Sequence, residues 1–209
     1  MGFWGHLLVG RGGDRALAAR PVLATGRDHL VPAAAFADGW QMWCRMAPEP
    51  LRPAVEDAVA SVDDLVRALA DDTGAPALAA GVLAGDCAVV FGAVPAGTPW
   101  AACLGRVALA RHLAGTGLGP DDIFPAPRTA AAHCAAWAAA AGRVTDAGAL
   151  ARVLAADPGP DVVGLFRELL AGLGMVEEAL PACAVAGRGR PKPPPPTGEA
   201  PAAVRCEPW

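Results

Sequence analysis

Polar and apolar positions alternate most clearly over Trp40–Met46. Trp40, Met42, Cys44 and Met46 share one face, and Gln41, Trp43 and Arg45 share the other. A period of two marks a half-buried strand. Phe3–Val9 is apolar on both alternating faces, which fits a strand covered on both sides. The period changes over Pro53–Asp72, where Val55, Val59, Val62, Val66 and Leu69 recur at intervals of four and three. That spacing predicts an amphipathic helix, stopped by Gly74 and Pro76. The run Ala77–Val94 (ALAAGVLAGDCAVVFGAV) then carries a single charge, Asp86, near its centre. We read it as two buried strands joined at Gly85-Asp86, the central hairpin of a sheet, because Gly-Asp suits a tight turn.

The remaining stretches are read with less periodicity to guide them. Asp14 can cap a short helix through Ala19, and Pro21–Asp38 reads as an irregular connection. After Pro95, Gly97 and Pro99 the pattern predicts a helix over Trp100–Ala114 and a loop over Gly115–Pro127. Three more helices follow, over Arg128–Ala141, Asp146–Ala156 and Asp161–Gly172. Strands first and helices afterwards give an α+β class: a small, mostly antiparallel sheet with packed helices and a helical C-terminal half. Residues 1–180 are expected to form one domain. From Gly187 the chain reads GRGRPKPPPPTGEAPAAVRCEPW, which cannot form a packed core, so 187–209 is expected to be a disordered tail.

Composition tempers this picture. About a quarter of the residues are Ala, Tyr and Asn are absent, and Lys192 is the one lysine among 17 basic residues. Such a bias points to GC-rich coding. The 54% hydrophobic fraction therefore overstates the core, since Ala buries little area and favours helix wherever it falls. The net charge of −4, without a basic stripe in the folded part, argues against a nucleic-acid binder. The start lacks a positive, apolar, small-residue signal, and His6 stands where myristoylation wants Ser or Thr. A membrane span over Ala77–Val94 would bury Asp86 at a cost of about 2.5–3.5 kcal/mol. The six cysteines, Cys44, Cys87, Cys103, Cys134, Cys183 and Cys206, are scattered without a CxxC, which suits free thiols and a cytoplasmic location.

Familiar chemistries are mostly excluded. Gly10 and Gly12 begin a dinucleotide fingerprint, but its sixth position is Arg15, where close packing needs glycine. No HExxH or HxH occurs, and His133 and Cys134, adjacent on a helix, point about 100° apart, so no metal and no cofactor are expected. Ser61 has no GxSxG around it. Cys87 and Cys103 need a base nearby in space, which the sequence does not reveal, and both sit in apolar runs. No catalytic residue is assigned. His133 and Trp137, four apart on one helix, are placed to stack.

Two candidate surfaces remain. The helix Pro53–Asp72 is acidic, with Glu56, Asp57, Asp63 and Asp64 as candidate contacts to a basic protein partner, although a solvated face would look the same. Trp40, Trp43 and Asp86 are candidate lining residues for a small-ligand pocket, although the turn chemistry favours Asp86 as a plain turn residue. The segments MGFWG, GWQMW, DDTGAPALAAGVLAGDCAVV and GLFRELLAGLGM resemble an uncharacterised actinobacterial protein family over most of residues 1–175. That resemblance implies a bacterial cytoplasmic protein and carries no site residue. The first expectation is a non-catalytic, inhibitor-like or immunity-like interaction module without nucleic acid or membrane partners. The alternative is an enzyme or a small-ligand-binding protein.

Overall fold

The computed structural model describes residues 4–12, 30–46, 55–157, 159 and 161–178, and for residues 30, 46 and 56–58 the backbone alone. The expected helix over Asp14–Ala19, the prolines Pro48, Pro50 and Pro53, the side chains of Glu56 and Asp57, Cys183, Cys206 and the tail from Gly187 lie outside the described residues. Strands β1 (Gly5–Arg11), β2 (Leu30–Phe36), β3 (Trp40–Met46), β4 (Ala77–Leu83), β5 (Cys87–Ala93), β6 (Trp100–Leu104) and β7 (Glu177–Glu178) form one sheet. Its order is β6-β5-β4-β1-β3-β2-β7, and every pairing is antiparallel. The described helices are α1 (Val55–Thr73), α2 (Arg106–His112), α3 (Pro120–Ile123), α4 (Pro127–Ala140), α5 (Ala147–Ala155) and α6 (Val162–Gly172). The class is α+β with a helical C-terminal half, as the pattern predicts. Among the described residues no helix is long and apolar enough to cross a membrane.

The hairpin over Ala77–Val94 lies inside the sheet, with β6 on one flank and β1, the middle strand, on the other. Every residue of β4 and β5 is buried. This follows from their sequence: with no polar residue on either face, both faces need a cover. On one face Leu7, Val9, Trp40, Met42, Leu78 and Val90 meet Trp137, Leu150, Phe166 and Leu169 from α4, α5 and α6. On the other face Leu8, Trp43, Ala77, Ala79, Val89 and Cys103 meet Val62, Val66, Leu69 and Leu109 from α1 and α2. Each fully buried Leu, Val or Phe contributes about 1.5–3 kcal/mol. The small side chains of Ala77 and Ala79 leave room for α1 to lie directly on the sheet.

Three readings of the sequence are corrected here by the structure. Leu30–Phe36 is a strand inside the expected irregular connection Pro21–Asp38. Its pairing with β3 shifts register between Pro32 and Ala34, so the proline sits at a bulge, where a missing N–H is tolerated. Trp100–Leu104 is a strand, and the helix expected over Trp100–Ala114 is confined to Arg106–His112. Gly105 divides the two with φ of 73°; a Cβ there would stand 2.5 Å from the Asp86 carbonyl oxygen. The Ala-rich WAACL has no alternation of its own and becomes a strand because β5 offers it a full ladder, from Ala88↔Leu104 to Gly92↔Trp100. The expected loop over Gly115–Pro127 also contains the short helix α3.

Candidate functional site

A cleft of about 600 Å³ opens between β6 and α4, lined by Val94, Thr98, Pro99, Trp100, Ala101, Pro125, His133, Ala136, Trp137 and Ala140. Its size falls within the range of small-molecule sites, and its wall is apolar with a few polar groups, as such sites are. Trp137 is fixed: its indole N–H is shared between the carbonyls of Ala77 (3.1 Å) and Ala93 (3.0 Å), a facing pair at the open end of the β4–β5 hairpin. Trp100 lies over Gly92, where any Cβ would collide with its ring. Among the described residues its own buried indole N–H meets no acceptor, a state that costs about 1–3 kcal/mol. His133 stands one turn before Trp137 on α4 and is exposed at the cleft. The sequence shows the His133–Trp137 spacing, but Trp100 joins them only through the strand that replaces a predicted helix.

At the other end of β5, on the opposite face, polar groups gather at the hairpin tip. Ala84 and Gly85 have φ of 52° and 77°, the positive pair that a type I′ turn needs, and Asp86 N–H closes the turn onto Leu83 O at 3.2 Å. The turn therefore centres on Ala84-Gly85, one residue earlier than the expected Gly85-Asp86. Asp86 is freed to face α2, where its carboxylate accepts from His112 Nε2–H at 3.0 Å and lies 3.8 Å from the Arg111 guanidinium. The Trp4 ring packs edge-on against His112 at 6.1 Å. Cys87 is fully buried beside them. Burial raises its thiol pKa above the ordinary value, and Cys103 and Asp86 raise it further while Arg111 lowers it. Burial likewise pushes the Cys103 thiol up to about 12, against a smaller opposing effect of Arg106. Neither is a thiolate near neutral pH, so neither acts as a nucleophile as it stands.

The sequence-derived candidates are dispersed. Trp40 and Trp43 point to opposite faces of β3. Trp40 is 1% exposed, packs edge-on against Trp137 at 5.7 Å and lies under the Arg143 guanidinium. Trp43 belongs to the α1 face. Asp86 sits beyond Val82, which pairs with Gly5 and through it lies level with Met46, six residues along β3 from Trp40. At about 3.3 Å per residue, that is about 20 Å. The expected pocket of Trp40, Trp43 and Asp86 is therefore not assembled, because the pleat separates the tryptophans and the hairpin ends at the far edge. On α1, Asp63 is bound to Arg67 at 3.0 Å, whereas Asp64 and Asp71 are exposed. No family model matches this chain, and no curated protein or solved structure matches it either.

Proposed function

We propose that this protein binds a small, flat organic molecule carrying a hydrogen-bond acceptor, in the cleft between β6 and α4. The observation that carries this reading is the apolar cleft of about 600 Å³ in which the half-exposed Trp100 ring stands beside Trp137, itself locked in place by two hydrogen bonds. The N–H edge of Trp100 is buried against Gly92, so the ligand stacks on the exposed part of that ring and places its acceptor near His133. The rigid Trp137, 2% exposed, backs the cleft from behind, and His133 offers a polar contact at the mouth. The four described cysteines are free, which supports a cytoplasmic setting for this activity.

The test is tryptophan fluorescence and thermal shift across a panel of planar heteroaromatic compounds, with Ala136→Trp as the variant. Ala136 is exposed and lines the cleft, so the larger side chain fills the site without entering the core. A hit should weaken at least tenfold in Ala136→Trp, while the unfolding midpoint of the free protein stays put. A flat panel, or a hit indifferent to that substitution, overturns the reading. A second reading, docking of a basic protein on α1, is favoured by the exposure of Asp64 and Asp71 two turns apart on one face. It requires a partner whose capture at low salt is lost in the Asp64→Asn, Asp71→Asn double variant.

A further inference from the structure

We propose that Asp86, Cys87 and His112 form a site for a zinc-type transition-metal ion, separate from the cleft and on the opposite face of the sheet. One ligand atom from each residue can be chosen so that all lie within 4.8 Å of one another. A tetrahedral ion with a thiolate at 2.3 Å and an imidazole at 2.1 Å sets its ligand atoms about 3.6 Å apart. The gap of about 1 Å is within reach of side-chain rotation, because Asp86 and His112 are partly exposed, at 27% and 24% of their side chains. The donor set decides the class of ion. A thiolate with an imidazole and one carboxylate suits zinc, cobalt or nickel and not magnesium or calcium, which take oxygen.

Two rigid elements present these donors. The hairpin tip is fixed by its turn and by the hydrogen bond from Val162 N–H to Gly85 O at 3.2 Å. The start of α2 is pressed against the same hairpin, since only glycine at 105 lets the backbone pass so close to Asp86 and Cys87. That contact sets how far the last turn of α2, with His112, stands from the tip. Trp4 closes one side of the imidazole. Cys87 forms the buried floor and the other two residues the rim, so an ion enters from solvent past Asp86 and His112.

Binding balances in atoms and charge. The Cys87 S–H bond breaks and its proton leaves to solvent. His112 moves its ring proton from Nε2 to Nδ1, and Asp86 gives up its hydrogen bond to Nε2 in order to ligate. Thiolate and carboxylate together neutralise the dication. Three protein ligands leave the fourth position to water or substrate, the arrangement of catalytic zinc sites. Arg111 opposes the cation, but it is 69% exposed and free to turn into solvent.

The experiment is a cobalt(II) titration of the untagged, reduced, full-length chain. A near-ultraviolet thiolate-to-cobalt band should appear, saturate at one ion per chain and be displaced by zinc. Cys87→Ser should abolish the band, while Cys103→Ser and a Cys183→Ser, Cys206→Ser chain should keep it. Asp86→Asn and His112→Gln should each weaken zinc binding at least as much as losing an outer-shell partner does, about 10- to 100-fold. These two residues are partly exposed, so they decide the matter if Cys87→Ser disturbs folding. The proposal falls if the wild-type chain gives no such band at saturating cobalt, if the band survives Cys87→Ser, or if both exposed-site variants bind zinc unchanged.

Discussion

The two faces of the sheet are built on different terms. The face under α4, α5 and α6 carries Trp40, Met42, Trp137 and Phe166, all nearly or fully buried. The face under α1 and α2 carries Ala77, Ala79 and Cys103 against Val62, Val66 and Leu69. Large rings fill their layer by volume, and where α4 meets the edge strand β6 they leave the cleft. The other layer also holds Trp43 and Phe91, but at Ala77 and Ala79 its small residues let α1 come close, and His6 lies among its strands with Asp86 and His112 at the hairpin tip. Bulk makes room for a ligand on one side, and closeness brings scattered donors together on the other.

The comparison breaks most readily at Trp137. Trp137→Ala should cost about 4 kcal/mol, from lost burial and a large cavity, and should also release the Ala77 and Ala93 carbonyls it bridges. Leu69→Ala on the α1 face should cost about 2–3 kcal/mol, near the low end of its class, because a helix lying on small residues can settle into the gap. Urea unfolding of the two variants measures both; equal losses would mean the faces do not differ in how they yield.

Acid should act on the small-residue face. Burial, with Arg45 beside it, lowers the His6 pKa from 6.5 to about 4. Between those values the unfolded chain binds the proton and the folded chain does not, so stability is full above pH 6.5 and is lost as the pH falls toward 4. At about 1.36 kcal/mol per unit, the loss is about 3 kcal/mol. Urea midpoints measured from pH 7 to 4 should show it in the wild type and much less in His6→Gln. The last variant tests the closeness itself. Gly105→Ala should cost more than the roughly 1–3 kcal/mol of a left-handed φ alone, because its Cβ would stand 2.5 Å from the Asp86 carbonyl oxygen, and nuclear magnetic resonance shifts should concentrate at Asp86 and His112.

How much of this was legible depended on which residues wrote the signal. β3 and α1 are readable because Trp, Met and Val carry a period that Ala cannot blur, and the β4–β5 hairpin because an uncharged run is split by one Gly-Asp step. β2 and β6 are not, because LVPAAAF and WAACL take their conformation from neighbours distant in sequence. The site follows the same rule. Asp86 stands out as a lone charge in an apolar run, and the question of a histidine near Cys87 can be posed from sequence. Its answer, His112, lies 26 positions from Asp86, on a helix whose start is set by Gly105. The alternation of β3 already places Trp40 and Trp43 on opposite faces, but not which helices cover each face or how far Asp86 stands from either, since both depend on contacts distant in sequence.

Pro32 has a consequence beyond its bulge. A sheet whose β2, β4, β5 and β6 are short, uncharged and alanine-containing resembles the segments that stack into fibres, and its flanks are where a second chain would add. On one flank the described part of β7 pairs with β2 at Ala35 and Phe36, and it brings the charges Glu177 and Glu178. The next stretch of β2 holds the proline, which has no N–H to offer a newcomer. On the other flank β6 is five residues long and ends at a glycine bend. The interruptions that make these strands hard to read in the sequence thus leave an incoming strand little continuous ladder to extend, and so favour separate molecules over threads.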